Sequence, residues 1–426
     1  MQSNTITLAF AAFLLSSLLV RLWLATRQVR HVARNRDAVP AAFAQVVTLE
    51  AHQRAAAYTV DKLRFGLLLL AFETAMLLAW TLLGGLNALN AAVQSFVYAH
   101  VQGSWAGMAY QLALIASFAA IGGLLDLPFA AWNTFRIEQR HGFNRITPGL
   151  WLADLAKSTL IGTLLGLPVI AVVLWLMGAA GSWWWLWAWG VWMGFMLFVQ
   201  FIFPAFIAPL FNKFEPLQDA GLRVRVEALM QRCGFTASGL FVMDGSRRSA
   251  HANAYFTGFG ATKRVVFFDT LLSKLSPGEV EAVLAHELGH FRMRHIVKRL
   301  ATMFALSLGA LALLGWLSQQ PAFYSGLGVQ PDMSVPSDAL ALLLFLLALP
   351  VFGFFVSPVF AAVSRKHEYE ADAYACSQAS GSDLAAALLK LYEDNASTLT
   401  PDPLYVRFYY SHPPASERLA AMKALA

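Results

Sequence analysis

The run His286-Glu287-Leu288-Gly289-His290 sets two imidazoles four residues apart, with a carboxylate between them. Residues four apart share one face of a helix, so both rings can aim at one Zn2+. Glu287 sits beside that face and can reach a water on the ion without being a ligand. Zinc lowers the pKa of its bound water toward about 7. Glu287 would take that water's proton as it attacks a peptide carbonyl, then deliver it to the leaving amine. Catalytic zinc commonly takes three protein ligands and one water, and two His with one Glu is a known set. The stretch Ser364-Arg365-Lys366-His367-Glu368-Tyr369-Glu370-Ala371-Asp372 can supply the third. Glu368 is the expected ligand. Asp372, one helical turn on, can accept the second ring proton of a ligand His and fix its tautomer. On these residues alone His367 and Glu370 stay rivals for the ligand position.

The element that must carry the pair is a helix with a strong start signal. In Ser276-Pro277-Gly278-Glu279 the Ser can cap, Pro suits the first helical position, and Glu completes a capping box. Without those features the two histidines would read as a solvent-facing pair on an amphipathic helix. Cys233 and Cys376 are the only cysteines and stand far apart in sequence. They form no CxxC pair and no disulfide framework, so a metal site must be built from His and carboxylate.

The rest of the chain is apolar. Hydrophobic residues make up 58% and charged residues 13% of 426, and the mean hydropathy is +0.55. A soluble chain carries about 25% charge, so lipid must cover part of this one. About 20 apolar residues cross the hydrocarbon core as a helix. Seven such stretches lie near 5–25, 65–86, 105–127, 159–180, 183–208, 300–318 and 338–362. Basic residues fill alternate loops: 27–64, 136–157 and 211–299 are rich in Arg and Lys, whereas 87–104 and 319–337 have none. That alternation predicts an outside N-terminus and a cytoplasmic C-terminus. It also accounts for the net charge of +6 without nucleic acid as a partner. Arg21 and Asp126 are expected to snorkel at the interface, and Glu73 to line a cavity.

Beyond the zinc motif, a set of longer stretches resembles the CAAX prenyl proteases. They include Tyr58-Thr59-Val60-Asp61-Lys62, Phe135-Arg136-Ile137-Glu138 leading into His141-Gly142-Phe143-Asn144, and Ala208-Pro209-Leu210-Phe211-Asn212-Lys213-Phe214. Asp244-Gly245-Ser246-Arg247-Arg248-Ser249, the segments from His251 to Gly258 and from Lys263 to Leu272, and Ser411-His412-Pro413-Pro414 through Glu417-Arg418-Leu419 complete the set. The resemblance runs nearly end to end. It implies a seven-span zinc endopeptidase that processes the C-termini of prenylated proteins, around a large water-filled chamber. It selects Glu368 over Glu370 as the third ligand. It also implies that His412 and Arg418 line the active site, where both can donate to the oxyanion formed at the attacked carbonyl. The segments 253–260 and 263–269 read as a β-hairpin turning at Gly260-Ala261-Thr262. In the family a strand near the zinc pairs with extended substrate, which falls here to Asn253 and Ala254.

The expected architecture is an all-α polytopic membrane protein with about seven transmembrane helices, plus a zincin-like cytoplasmic α+β peptidase domain with a small β-sheet. The division expected is a five-span membrane domain over 1–210 and a zinc peptidase domain over 211–426 that includes the last two spans. The expected cofactor is one catalytic Zn2+. The expected partners are a peptide or protein substrate, prenylated or not, and the bilayer. An Ala- and Arg-rich composition and the lack of an ER retrieval signal point to a bacterial inner membrane. The competing readings are a membrane quality-control protease, a transporter with a structural zinc, and an inactive scaffold. A structural zinc closes with four protein ligands and would leave Glu287 without a purpose.

Overall fold

The computed structural model describes residues 2–257, 264–331 and 337–425. Six helices open the chain: α1 (Ser3–Asn35), α2 (Leu49–Trp80), α3 (Gly85–His100), α4 (Ala106–Trp132), α5 (Pro148–Ala179) and α6 (Trp184–Ile202). The peptidase part begins with β1 (Phe214–Pro216), α7 (Ala220–Arg232), β2 (Gly239–Met243), β3 (Ala254–Thr257), β4 (Arg264–Phe268) and α8 (Asp269–Leu272). Then come α9 (Pro277–Arg292), α10 (His295–Leu317), α11 (Pro321–Gly326), α12 (Asp338–Gly353), α13 (Ser357–Gln378), α14 (Gly381–Asp394), α15 (Pro403–Tyr409) and α16 (Ala415–Lys423).

Seven helical stretches are long and apolar enough to cross a membrane: 3–35, 49–80, 106–138, 148–179, 181–210, 295–317 and 338–378. They correspond to the seven expected spans. The second differs at its end. It was expected to reach residue 86, but α2 stops at Trp80, and Gly84 turns the chain with φ +77°. The segment after it, expected as a plain loop, holds the short helix α3, which buries Leu86 and Val97. Sixteen residues are too few to span, so an apolar face here packs on the ends of its neighbours.

The spans pack in one apolar cluster built from Phe10, Leu86, Tyr110, Leu174, Trp184, Leu314 and Leu344. Elsewhere they are loosely covered: the second span buries none of the residues in its most apolar window. Arg21, expected to snorkel, shares a cavity of about 170 Å³ with Glu73, among Leu14, Leu70, Leu77 and Leu347, and its guanidinium lies 4.5 Å from the Phe354 ring centre. An arginine in mid-span is cheaper facing a carboxylate and a π face than facing lipid.

The sheet runs in the order β1-β2-β4-β3, with β2 and β4 parallel and the other two pairs antiparallel. β3 and β4 form the expected hairpin, while its expected turn at 260–262 lies outside the described residues. The sheet and α7, α9 and α14 share a second core of Val226, Leu229, Val265, Phe267, Leu284, Leu288 and Leu384.

Candidate active site

Both halves of the capping box form at the head of α9. The Ser276 hydroxyl accepts from the Glu279 amide at 3.4 Å, and the Glu279 carboxylate accepts from the Ser276 amide at 2.7 Å. Val280, Leu284 and Leu288 anchor one face of α9 in the core, which turns His286 and His290 to the other. There α13 crosses at backbone contact. A Cβ at Gly289 would lie 2.9 Å from the Ala371 Cα, so only a glycine permits this approach. The crossing carries Glu368 to the two histidines.

Three side chains converge. The Nε2 atoms of His286 and His290 lie 3.2 Å apart. Glu368 places Oε2 at 3.4 Å from the first and Oε1 at 3.3 Å from the second. His286 Nδ1 donates to Asp372 Oδ1 at 2.8 Å, and His290 Nδ1 lies 3.0 Å from the His295 ring. With the ring protons on Nδ1, both Nε2 lone pairs face each other and a carboxylate. Such a cluster calls for a cation. Burial opposes charge on His286, yet hydrogen bonds to Asp372 and Glu368 prevail and push its pKa up to about 9. Two imidazoles and a carboxylate with a carboxylate behind one ring are a fitting set for a divalent ion. The rivals His367 and Glu370 lie in a neighbouring group with His295 and not in this one.

Glu287 is half-buried beside the cluster and has no hydrogen bond or ion pair among the described residues, so its carboxylate is available as a base. His412 reaches in from the segment between α15 and α16, with Nδ1 2.7 Å from Glu368 Oε2. Only its Nε2 is left to meet a substrate. Arg418, buried on α16, sends Nε to Asp372 Oδ2 at 2.8 Å and one Nη to Asp372 Oδ1 at 2.5 Å. Its other Nη stays 3.8 Å from Glu368 Oε2.

His412 and Arg418 line a cavity of about 640 Å³, and Asn253 lies on its wall. β3 is the edge strand of the sheet, with no strand on its outer side among the described residues. The Asn253 carboxamide accepts from the Ala254 amide at 2.8 Å, and the Asn253 carbonyl accepts from the Phe268 amide at 3.0 Å. Two groups of residues on this wall went unread in the sequence. Asn395 holds His251 and the Ala252 amide at 3.0 and 3.3 Å, fixing the approach to β3. Tyr392, Tyr405, Tyr409 and Tyr410 face the same cavity; the tyrosine-dense run ahead of Ser411 was the available signal.

Residues 28–213 match the family described as CAAX prenyl protease N-terminal, five membrane helices, and residues 216–426 match peptidase family M48. The chain is 32% identical to a CAAX prenyl protease 1 homolog of Oryza sativa subsp. japonica, over 97% of this chain and 96% of that one. It is 30% identical to the Homo sapiens CAAX prenyl protease 1 homolog, over 98% and 95%. The crystal structure of S. mikatae Ste24p superimposes with a TM-score of 0.89, at 29% identity, over 98% of each chain.

Proposed function

Because this chain belongs to the CAAX prenyl proteases of peptidase family M48, it is a multi-pass membrane metalloprotease, and we propose that it cuts peptide bonds near the C-terminus of CAAX-type or membrane-associated substrates at a zinc centre formed by His286, His290 and Glu368. The observation that carries this reading is the convergence of those three side chains beside Glu287, which has no hydrogen bond or ion pair among the described residues. When bound there, zinc activates a water and polarises the scissile carbonyl. Glu287 takes the water's proton and returns it to the departing amine. With Nδ1–H on Glu368, His412 donates from Nε2 to the carbonyl oxygen as it becomes an oxyanion only as the imidazolium, which carries a proton on both nitrogens. Arg418 holds Asp372 and leaves one Nη facing Glu368, at the edge of the same charge. Asn253 and Ala254 offer the sheet edge to an extended peptide, which is gripped through its main chain.

The domain division at about residue 210 puts the ion and its base in the C-terminal part. The alternating loop charges support an active site on the cytoplasmic side, and composition supports a bacterial inner membrane. A quality-control protease would use the same centre on broader substrates.

The test compares purified, zinc-loaded protein with Glu287→Ala on prenylated and unprenylated forms of one CAAX-like peptide. The variant should retain zinc and lose about 10²–10⁴-fold in rate. Preference for the prenylated form would mark CAAX processing, and equal cutting would mark the broader protease. A variant that cuts as fast as wild type would remove Glu287 from the reaction.

A further inference from the structure

A continuous helix would put His290 and His295 on different faces, since five residues rotate the chain by about 500°. The helix is not continuous. α9 ends at Arg292, and Arg294 takes a left-handed conformation with φ 56°, which a side-chain-bearing residue rarely adopts. α10 then starts at His295. This sharp turn folds the His295 ring, itself buried, back onto His290, with their Nδ1 atoms 3.0 Å apart. On its far side, His295 Nε2 lies 2.9 Å from Glu370 Oε2.

The protons on this chain have one consistent arrangement. Glu370 accepts only, so His295 carries its proton on Nε2. His295 Nδ1 is then a lone pair and accepts from His290 Nδ1–H. His290 Nε2 is left as a lone pair aimed at Glu368 and His286. We propose that His295 is a positioning residue for the metal: with Glu370 behind it, it fixes the tautomer and orientation of His290 and strengthens its donor nitrogen. His286 gets the same support from Asp372 directly. The two ligand histidines therefore each end on a carboxylate, one of them through an intervening imidazole. A hydrogen-bonded carboxylate behind a ligand ring raises the ring's basicity toward the ion.

His295, His367 and Glu370 also lie close enough to suggest a second metal site. The ring geometry opposes it. His295 and His367 are stacked face to face, with centroids 3.9 Å apart and planes 13° apart. Their in-plane lone pairs run nearly parallel, and parallel lone pairs do not meet on one ion at about 2 Å.

The inference rests on the zinc reading, and the experiment separates the two. The full chain in detergent is titrated with Zn2+ alone against a competing chelator, alongside His295→Phe, His295→Gln, Glu370→Gln and His367→Phe. Wild type should bind one tight equivalent. His295→Phe, which keeps the stacking surface and loses both nitrogens, should weaken affinity about 10–100-fold, with activity recovered by excess zinc. His295→Gln can accept and donate, and should regain part of the loss even where the Phe variant folds poorly. Glu370→Gln should fall between, since its amide oxygen still accepts. His367→Phe should bind like wild type. The proposal fails if folded His295→Phe or His295→Gln shows no weakening beside wild type. It also fails if wild type binds a second tight equivalent that both His295→Phe and His367→Phe abolish. Wild type that holds no zinc would sink the zinc reading itself, and this inference with it.

Discussion

Asp372 answers to two partners at once. Oδ1 accepts the His286 Nδ1 proton at 2.8 Å, and both carboxylate oxygens accept from Arg418. Both residues of the pair are almost fully buried, so the charges depend on each other. Asp372→Asn keeps the shape but strands the guanidinium, and removing one partner of a buried pair costs about 3–5 kcal/mol. The same change should lower Zn2+ affinity about 10–100-fold, because the ring behind it loses its anion. Adding Arg418→Met should restore most of the stability and none of the affinity. Chelator competition and thermal unfolding of the single and double variants would separate the two effects; affinity returning with the second change would mean that Asp372 acts on the fold alone. This residue was legible in the sequence, since a carboxylate four positions after a ligand sits one turn along the same helix face. His295 was not. Its role depends on a left-handed Arg294, and no spacing rule reports a backbone reversal.

The decisive relation between elements is the contact of α9 with α13 at Gly289. Its absent side chain sets how closely the two helices that carry the proposed ligands approach, and hence whether Glu368 reaches both rings at 3.3–3.4 Å. In Gly289→Ala the new Cβ meets backbone, 2.9 Å from the Ala371 Cα and 3.1 Å from its carbonyl oxygen. Neither atom can swing aside as a side-chain tip would. Overpacking of this kind costs about 1–3 kcal/mol, and the helices should part. Zn2+ affinity is therefore expected to fall although no ligand has changed. A variant with wild-type affinity and normal stability would show that the helices slide to make room. The capping box and the seven apolar stretches were readable because each is local. The helix ends were less so. α1 continues to Asn35 and α2 begins at Leu49, since basic, polar sequence lowers hydropathy without stopping a helix. The pairings of β1 with β2 and of β2 with β4 were invisible, because they join segments with no local signal in common.

Across the whole molecule, polar contacts sort by side. Arg27 at the end of α1 pairs with Asp402 at 2.9 Å, Asp154 of α5 pairs with Arg248 at 2.8 Å, and Glu138 after α4 reaches Tyr58, Lys62 and His251. All these gather around the peptidase part. Phe143 stacks on His251 with planes 13° apart, and Asn144 bridges to Ser249. The family-like stretch at 141–144 thus meets both the one at 244–249 and the start of the one at His251, a pairing that no reading of any alone could show. At the opposite end, Thr7 and Ser3 hold Gly326 and Ser325, and Asn87 holds the Gln330 amide. This division coincides with the alternation of basic and charge-free loops, so the geometry and the charge rule describe one partition. Cysteine labelling can assign its sides. With Cys233 and Cys376 replaced by Ser, a cysteine goes in at Leu83, 78% exposed at the charge-free end, or at Val224, 65% exposed on α7. An impermeant thiol reagent should label Leu83→Cys in intact cells and Val224→Cys only after permeabilisation. The reverse pattern would turn the protein over and put the metal site outside. Labelling of both from one side would break the partition itself, because the three spans between them, 106–138, 148–179 and 181–210, would then not carry the chain from one end to the other.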